Sequence, residues 1–196
     1  MKAIRIHFRD TGDELRMEEA PQPDPKAGEV LIRTQAIGVN RADLGRRRTV
    51  SEGEQEPPRI PGLDVAGVVE SVGAGVTNWH SGDQVMALVR GAYAEYSVAQ
   101  SVLAFRPPEG MSPTDSASLP CVFFTAWYAF QMAGLKSGET ALIHAAGSGV
   151  GMAGIQIANA LGARVLTSAG SDERVERGRQ LGAEAGVNYS TQEVTA

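Results

Sequence analysis

The run His144-Ala145-Ala146-Gly147-Ser148-Gly149-Val150-Gly151-Met152-Ala153-Gly154 follows a near-continuous apolar stretch, Thr140 to Ala145. It leads into a segment of helical spacing that ends at Leu161-Gly162. A strand entering a helix through so many small residues leaves the chain few options. Literal G-x-G-x-x-G spacing falls on Gly149, Gly151 and Gly154. Small side chains let the backbone approach a pyrophosphate, and the unpaired amides of a helix start attract anions. Dinucleotide binding is therefore expected here, with a purely structural tight turn as the alternative.

The flanking segments fit that expectation. Arg164 to Ser168 reads as a second strand and Glu173 to Leu181 as a polar-faced helix closing at Gly182. Gly186-Val187-Asn188-Tyr189 opens a third strand. Such alternation predicts a parallel sheet. The end of the second strand discriminates between nicotinamide cofactors, because an NAD site wants an acid there for the ribose 2′-hydroxyl. The chain instead reads Leu166-Thr167-Ser168-Ala169-Gly170-Ser171, and Asp172 and Glu173 suit the first turn of the next helix. Ser168 and Arg174 suit a 2′-phosphate, which favours NADPH; the plain alternative for Arg174 is a solvated helix charge.

The first hundred residues have a different character. Ile4 to Phe8, Leu15 to Glu18, Val30 to Thr34, Gly62 to Gly73, Val85 to Val89 and Ala92 to Val98 read as short strands between Gly- and Pro-containing turns. That spacing predicts a partly open β-barrel. Ser112-Pro113-Thr114-Asp115 is a helix start, and Thr125 to Ala133 has helical spacing up to Gly134. The compositional shift divides the chain near residue 120, into 1–120 and 121–196.

Composition excludes several classes. A formal net charge of −5 argues against a general nucleic-acid surface. No eighteen apolar residues run together, and the start, MKAIRIHF, has no long apolar segment of the signal-peptide kind. The single cysteine, Cys121, permits neither an intrachain disulfide nor a cysteine-rich metal lobe. A cytoplasmic protein acting on a small molecule, with no membrane or nucleic-acid partner, is expected. Trp79, Trp127 and Tyr128 are expected to pack, and Arg46-Arg47-Arg48 reads as a solvated charge run in a loop.

In order along the chain, MKAIRIHF, GVNRADL, IPGLDVAGVVESVGAGV, GDQVMAL, GAYAEYSV, FTAWYAF, LIHAAGSGVGMAGIQIA and LGAEAGVNY resemble the medium-chain dehydrogenase/reductase superfamily, specifically its zinc-free quinone oxidoreductase branch. The resemblance implies a GroES-like partly open barrel followed by a Rossmann-type sheet, with Ala146 and Ser148 in place of the first two fingerprint glycines. Cofactor contacts are then implied for Ala146, Gly147, Ser148, Gly149, Val150 and Gly151. Asn188 and Tyr189 are implied at the ribose and diphosphate end, and Thr125 at the nicotinamide. Asn40 and Asp43 are implied on the substrate side. Turn and capping chemistry is the alternative for Asn40 and Asp43, an N-cap for Thr125, and packing for Tyr189.

Zinc-dependent members carry a cysteine where this chain has Asn40-Arg41, and a His-Glu pair where it has Leu63-Asp64; no metal is expected. NADPH would then pass hydride to an electrophilic, conjugated acceptor such as a quinone. The run LPCVFFTAWYAF also resembles polyketide enoyl reductase domains, so a 2-enoyl thioester is the alternative acceptor. A non-catalytic NADPH-binding or assembly module is the alternative of another class. Only three strands of a six-strand Rossmann sheet are present. A C-terminally incomplete chain, weakly active alone, is thus expected, and the sheet edge left at Thr140 to Ala145 leads us to expect a homo-oligomer.

Overall fold

The computed structural model describes residues 1–7, 14–44 and 59–193. Phe8 and the arginines at 46–48 lie outside the described residues. The chain divides into two units, Met1–Cys121 and Val122–Ala196.

In the first unit, β1 (Lys2–His7) pairs antiparallel with β2 (Glu14–Glu19). A five-stranded antiparallel sheet holds β3 (Glu29–Gly38), β4 (Asp64–Val72), β5 (Gln84–Leu88), β6 (Tyr96–Gln100) and β7 (Ala104–Phe105) in the order β6-β3-β4-β5-β7. Its core is built from β-branched residues, Val30, Ile32, Val65, Val69 and Val85, which fit a pleated, buried surface. A Cβ at Gly67 would lie 2.1 Å from the Arg33 carbonyl oxygen, so only glycine admits the close approach of β3 and β4 there. The register between the strands shifts just beyond, between Thr34 and Ala36.

The alternation at Ala92 to Val98 gives a strand only from Tyr96. The amides of Gly91, Ala92 and Tyr93 bond instead to the carbonyls of Gly62 and Pro61, and Ala94 makes an isolated bridge to Ala3. The one-turn helix α1 (Arg41–Leu44) follows β3. Helix α2 (Pro113–Ala117) starts as expected, with Pro at its first position and the Ser112 hydroxyl accepting the Asp115 amide at 3.1 Å.

Helix α3 (Pro120–Ala133) begins five residues before the helical pattern becomes legible at Thr125. The second unit then places β8 (Thr140–His144), β9 (Arg164–Ala169) and β10 (Ala185–Asn188) in a parallel sheet ordered β10-β9-β8. Helices α4 (Gly149–Ala160) and α5 (Asp172–Gln180) cross between the strands. Ile155, Ala158 and Val165 centre the core, with Phe130, Ile143 and Val175 against it. Strand β8 is an edge, and its apolar composition does not bury both faces: Leu142 stays 56% exposed while Ala141 and Ile143 are partly buried. Trp79 is buried as expected; Trp127 and Tyr128 are exposed, although the Tyr128 ring stacks on Phe124 with centroids 6.3 Å apart. A helix apolar nearly all round, as α3 is, can bury only the stripe that meets a partner.

Candidate functional site

The turn after β8 decides the register of the glycine motif. Ala145 takes a left-handed conformation at φ 59°, and α4 begins at Gly149. The literal pattern Gly149-Gly151-Gly154 therefore lies inside the helix. The residues that turn the chain are Ala146, Gly147 and Ser148, with Gly151 as the third small position. Ala146 is fully buried, and a Cβ at Gly151 would fall 2.2 Å from the Ala145 carbonyl oxygen. Helix and strand thus approach closely where a fingerprint requires it. The Ser148 hydroxyl caps the helix by accepting the Gly151 amide at 3.0 Å. The Gly149 and Val150 amides are left without a partner among the described residues, at the positive end of the helix.

Arg174 lies directly over this turn. A Cβ at Gly147 would be 2.6 Å from its Cδ, so the bare glycine makes the room that the arginine fills. Beside it opens a cavity of about 480 Å³ lined by Gly147, Met152, Glu173, Arg174, Arg177 and Gln180, among others. Asp172 and Glu173 do occupy the first turn of α5. Ser168, by contrast, is buried, and its hydroxyl meets His144 Nδ1 at 2.8 Å. The pleat turns it away from solvent, so in this arrangement it is engaged with the imidazole.

Asn188 is buried, its Nδ2 donating to Asp172 Oδ1 at 2.8 Å and its Oδ1 accepting the Ser190 amide at 3.0 Å. That amide side chain ties the loop after β10 to the start of α5. Tyr189 is 55% exposed, with its hydroxyl where a Cβ at Gly170 would come within 2.9 Å. Thr125 is exposed inside α3, which rules out its service as that helix's N-cap.

In the first unit, Asn40 and Asp43 share a hydrogen-bonded cluster. The Asn40 amide donates to Asp43 Oδ2 at 2.8 Å, the Tyr93 hydroxyl donates to the same oxygen at 3.0 Å, and Asn40 Nδ2 donates to Asp64 Oδ2 at 2.6 Å. The Cys121 amide, in the first turn of α3, donates to Asp64 Oδ1 at 2.6 Å. Asp64 is 1% exposed, and burial pushes its carboxyl above the usual range while the donors from Asn40 and Cys121 oppose that shift. Burial, then the bond to Asp43, pushes the Tyr93 phenol up to about 12. Turn chemistry and a polar cluster are thus realised together at Asn40 and Asp43.

Asp64 and Tyr93 belong to this cluster without having been expected there. The available signal was an acid inside the apolar run GLDVAGVVE, since an unpaired charge is costly to bury.

The cluster does not fit zinc. Both Asp64 oxygens accept N–H bonds, Leu63 offers no ligand atom, and among the described residues no three of His, Cys, Asp or Glu gather to hold a metal. No described helix is long and apolar enough to cross a membrane.

Two family models match the chain: the alcohol dehydrogenase GroES-like domain over residues 26–109, and the zinc-binding dehydrogenase model over residues 149–196. The quinone oxidoreductase of Sus scrofa is 38% identical, over 96% of this chain and 59% of its own length. The Thermus thermophilus quinone oxidoreductase, solved also in complex with NADPH, superposes with a TM-score of 0.79 at 36% identity, over 97% of this chain and 60% of that one. The erythronolide synthase EryA2 of Saccharopolyspora erythraea is 39% identical over 81% of this chain, a stretch that is 4% of that protein. The chain spans about three-fifths of the length of the quinone oxidoreductases it matches. A GroES-like half-barrel sheet, a parallel Rossmann-type sheet and these matches lead to one conclusion: the chain belongs to the medium-chain dehydrogenase/reductase superfamily.

Proposed function

We propose that this chain carries the substrate-side domain, 1–120, and the first half of the nucleotide-binding domain, 121–196, of an NADPH-dependent oxidoreductase. Its acceptor is a quinone or related conjugated carbonyl, reduced without a metal. The observation that carries the proposal is the turn from Ala145 to Gly151, with two helix amides unpartnered among the described residues and Arg174 stacked over Gly147. The NADPH-bound relative supports the same cofactor.

When bound, the cofactor supplies the hydride. The Gly149 and Val150 amides would hold its diphosphate, with Ala146, Gly147 and Ser148 keeping the backbone close. Arg174 would hold the 2′-phosphate through charge-assisted bonds, and the exposed Tyr189 ring would border the ribose. Ser168, bonded to His144, and Asn188, bonded to Asp172 and Ser190, remain the candidates at the 2′-phosphate and at the ribose and diphosphate end. Thr125 is the candidate on the nicotinamide side, and Asn40 and Asp43 on the acceptor side. With no Lewis acid to polarise a simple ketone, the acceptor must spread arriving charge itself. The protein acts in the cytoplasm as a homo-oligomer.

Titration of the ¹⁵N-labelled chain with NADPH, followed by acceptor assays, tests this. Shifts at the Gly149 and Val150 amides, with tighter binding of NADPH than NADH, are expected. Unmoved amides would overturn the proposal. The match to EryA2 favours one alternative acceptor, a 2-enoyl thioester. Parallel assays of a quinone and a crotonyl thioester separate the two. Binding without NADPH oxidation across both would indicate a non-catalytic cofactor-binding module.

A further inference from the structure

We propose that Asp64 is the positioning residue of the acceptor side: its carboxylate fixes which end of the Asn40 amide a substrate meets. The inference rests on the placement of Asn40 proposed above and assigns a role to a residue outside that set.

The geometry is specific. A primary amide presents an oxygen at one end and an NH₂ group at the other, and the two ends are interchangeable in shape. Only the hydrogen-bonding partners decide between them. Asn40 Nδ2 lies 2.6 Å from Asp64 Oδ2, and an ionised carboxylate only accepts, so the NH₂ group must face it. The other carboxylate oxygen is taken by the Cys121 amide at 2.6 Å. That amide belongs to the first turn of α3, where the helix itself offers it no partner. Asp64 therefore cannot rotate without giving up the bonds that both of its oxygens accept.

The pocket holding Asp64 is fitted to it. A Cβ at Gly38 would lie 2.8 Å from both Asp64 Cβ and Asp64 Oδ2, and 2.6 Å from the Ala117 carbonyl oxygen. Asp64 is 1% exposed, whereas Asn40 is half-buried and reaches the surface. A second clamp acts on the Asn40 backbone, whose N–H donates to Asp43 Oδ2, and Tyr93 holds that carboxylate in turn. Backbone and side chain of Asn40 are thus fixed by two different carboxylates. The amide oxygen points away from Asp64, and among the described residues the second Nδ2–H has no partner and is left for a ligand oxygen.

Asp64→Asn tests this because it preserves volume. The Cys121 amide can only donate, so it claims the oxygen of the new side chain. The new NH₂ group then faces the Asn40 NH₂ group, and Asn40 must turn its oxygen inward. The end presented to substrate is reversed with the fold kept.

In ¹H–¹⁵N spectra of the wild-type chain, one side-chain amide pair, identified by its loss in Asn40→Ala, is expected with one proton well downfield. In Asp64→Asn that proton returns to the ordinary range while the Cys121 amide remains low-field. NADPH affinity stays within twofold, and kcat/KM for a quinone falls on the order of tenfold or more, as removal of an oriented donor does. Scalar coupling across the bond from Asn40 Nδ2 to the Asp64 carboxyl carbon reads the same pairing in the unsubstituted chain, whether or not the variant folds.

Absence of that coupling, or an Asn40 signal unchanged in a folded variant, overturns the inference. So does a reversed amide with unchanged quinone kinetics. A wild-type chain that neither binds NADPH nor turns over overturns the proposed function instead, and the inferred amide orientation is then judged on the coupling alone.

Discussion

Two glycines four residues apart in the same turn should fail in opposite ways when changed to alanine. Gly147 is not in the left-handed region, and the three atoms nearest its new Cβ all belong to the flexible Arg174 side chain, with Cδ at 2.6 Å and Cγ at 2.8 Å. Gly147→Ala should therefore leave stability nearly unchanged, since an alanine at a compatible conformation gains about 0.4–1 kcal/mol through the unfolded state and offsets the displacement. The displaced arginine is what the cofactor would notice. A hydrogen bond to a charged group is worth about 1.5–3 kcal/mol, which at about 1.4 kcal/mol per decade is roughly tenfold to hundredfold in Kd for NADPH. NADH, lacking the 2′-phosphate, should lose less than about twofold. Gly151→Ala is the reverse case. Its Cβ would sit 2.2 Å from the Ala145 carbonyl oxygen, where ordinary contact begins near 3.4 Å, so α4 must move against β8 by more than an ångström. Overpacking of that size costs about 3 kcal/mol and a fall in Tm of roughly 10 °C. Paired thermal melts and fluorescence titrations with NADPH and NADH, with Arg174→Ala alongside, give both quantities. If Gly147→Ala weakens the two cofactors equally, or leaves their ratio untouched, Arg174 does not read the 2′-phosphate and the assignment fails.

Other outcomes follow from the same geometry. The Tyr93 phenol should ionise at about 12, with the stability from its neutral form fully present below pH 10 and lost as pH rises through that value; a ¹³Cζ-tyrosine titration checks it, and Asp43→Asn should lower the value. Asp64 is raised by burial, so its contribution to stability is complete below about pH 4, the ordinary aspartate range, and declines as pH rises through its folded value. Urea melts between pH 4 and 7 should show that decline in the wild type and not in Asp64→Asn. Ser148→Ala removes the hydroxyl that accepts the Gly151 amide and should cost about 1 kcal/mol in a denaturant melt.

What the sequence determined by itself was local. A strand running through small residues into a helix is written within some twenty positions, because turn, cap and backbone approach depend on near neighbours. The Ser112 cap, the first five strands of the first unit and the parallel order of the second were legible for that reason, whereas the two-residue β7 was not. The start of α3 was less so, since a helix entered through Pro120 carries no polar cap in the sequence. The register of the glycine motif needed both resemblance and structure, because three glycines satisfy the literal pattern from Gly149 while the backbone turns four residues earlier, at Ala145.

Only the tertiary structure decided which polar side chains serve each other. Asp64 meets Asn40 across 24 residues and Cys121 across 57, and Tyr93 reaches Asp43 across 50. Ser168 and Asn188 stood at the expected strand ends, yet the direction of the pleat and the course of the loop gave their polar atoms to His144, Asp172 and Ser190. Such pairings depend on strand register and on where a helix begins. Residue types along a chain suggest which groups need partners, but close packing in three dimensions supplies them.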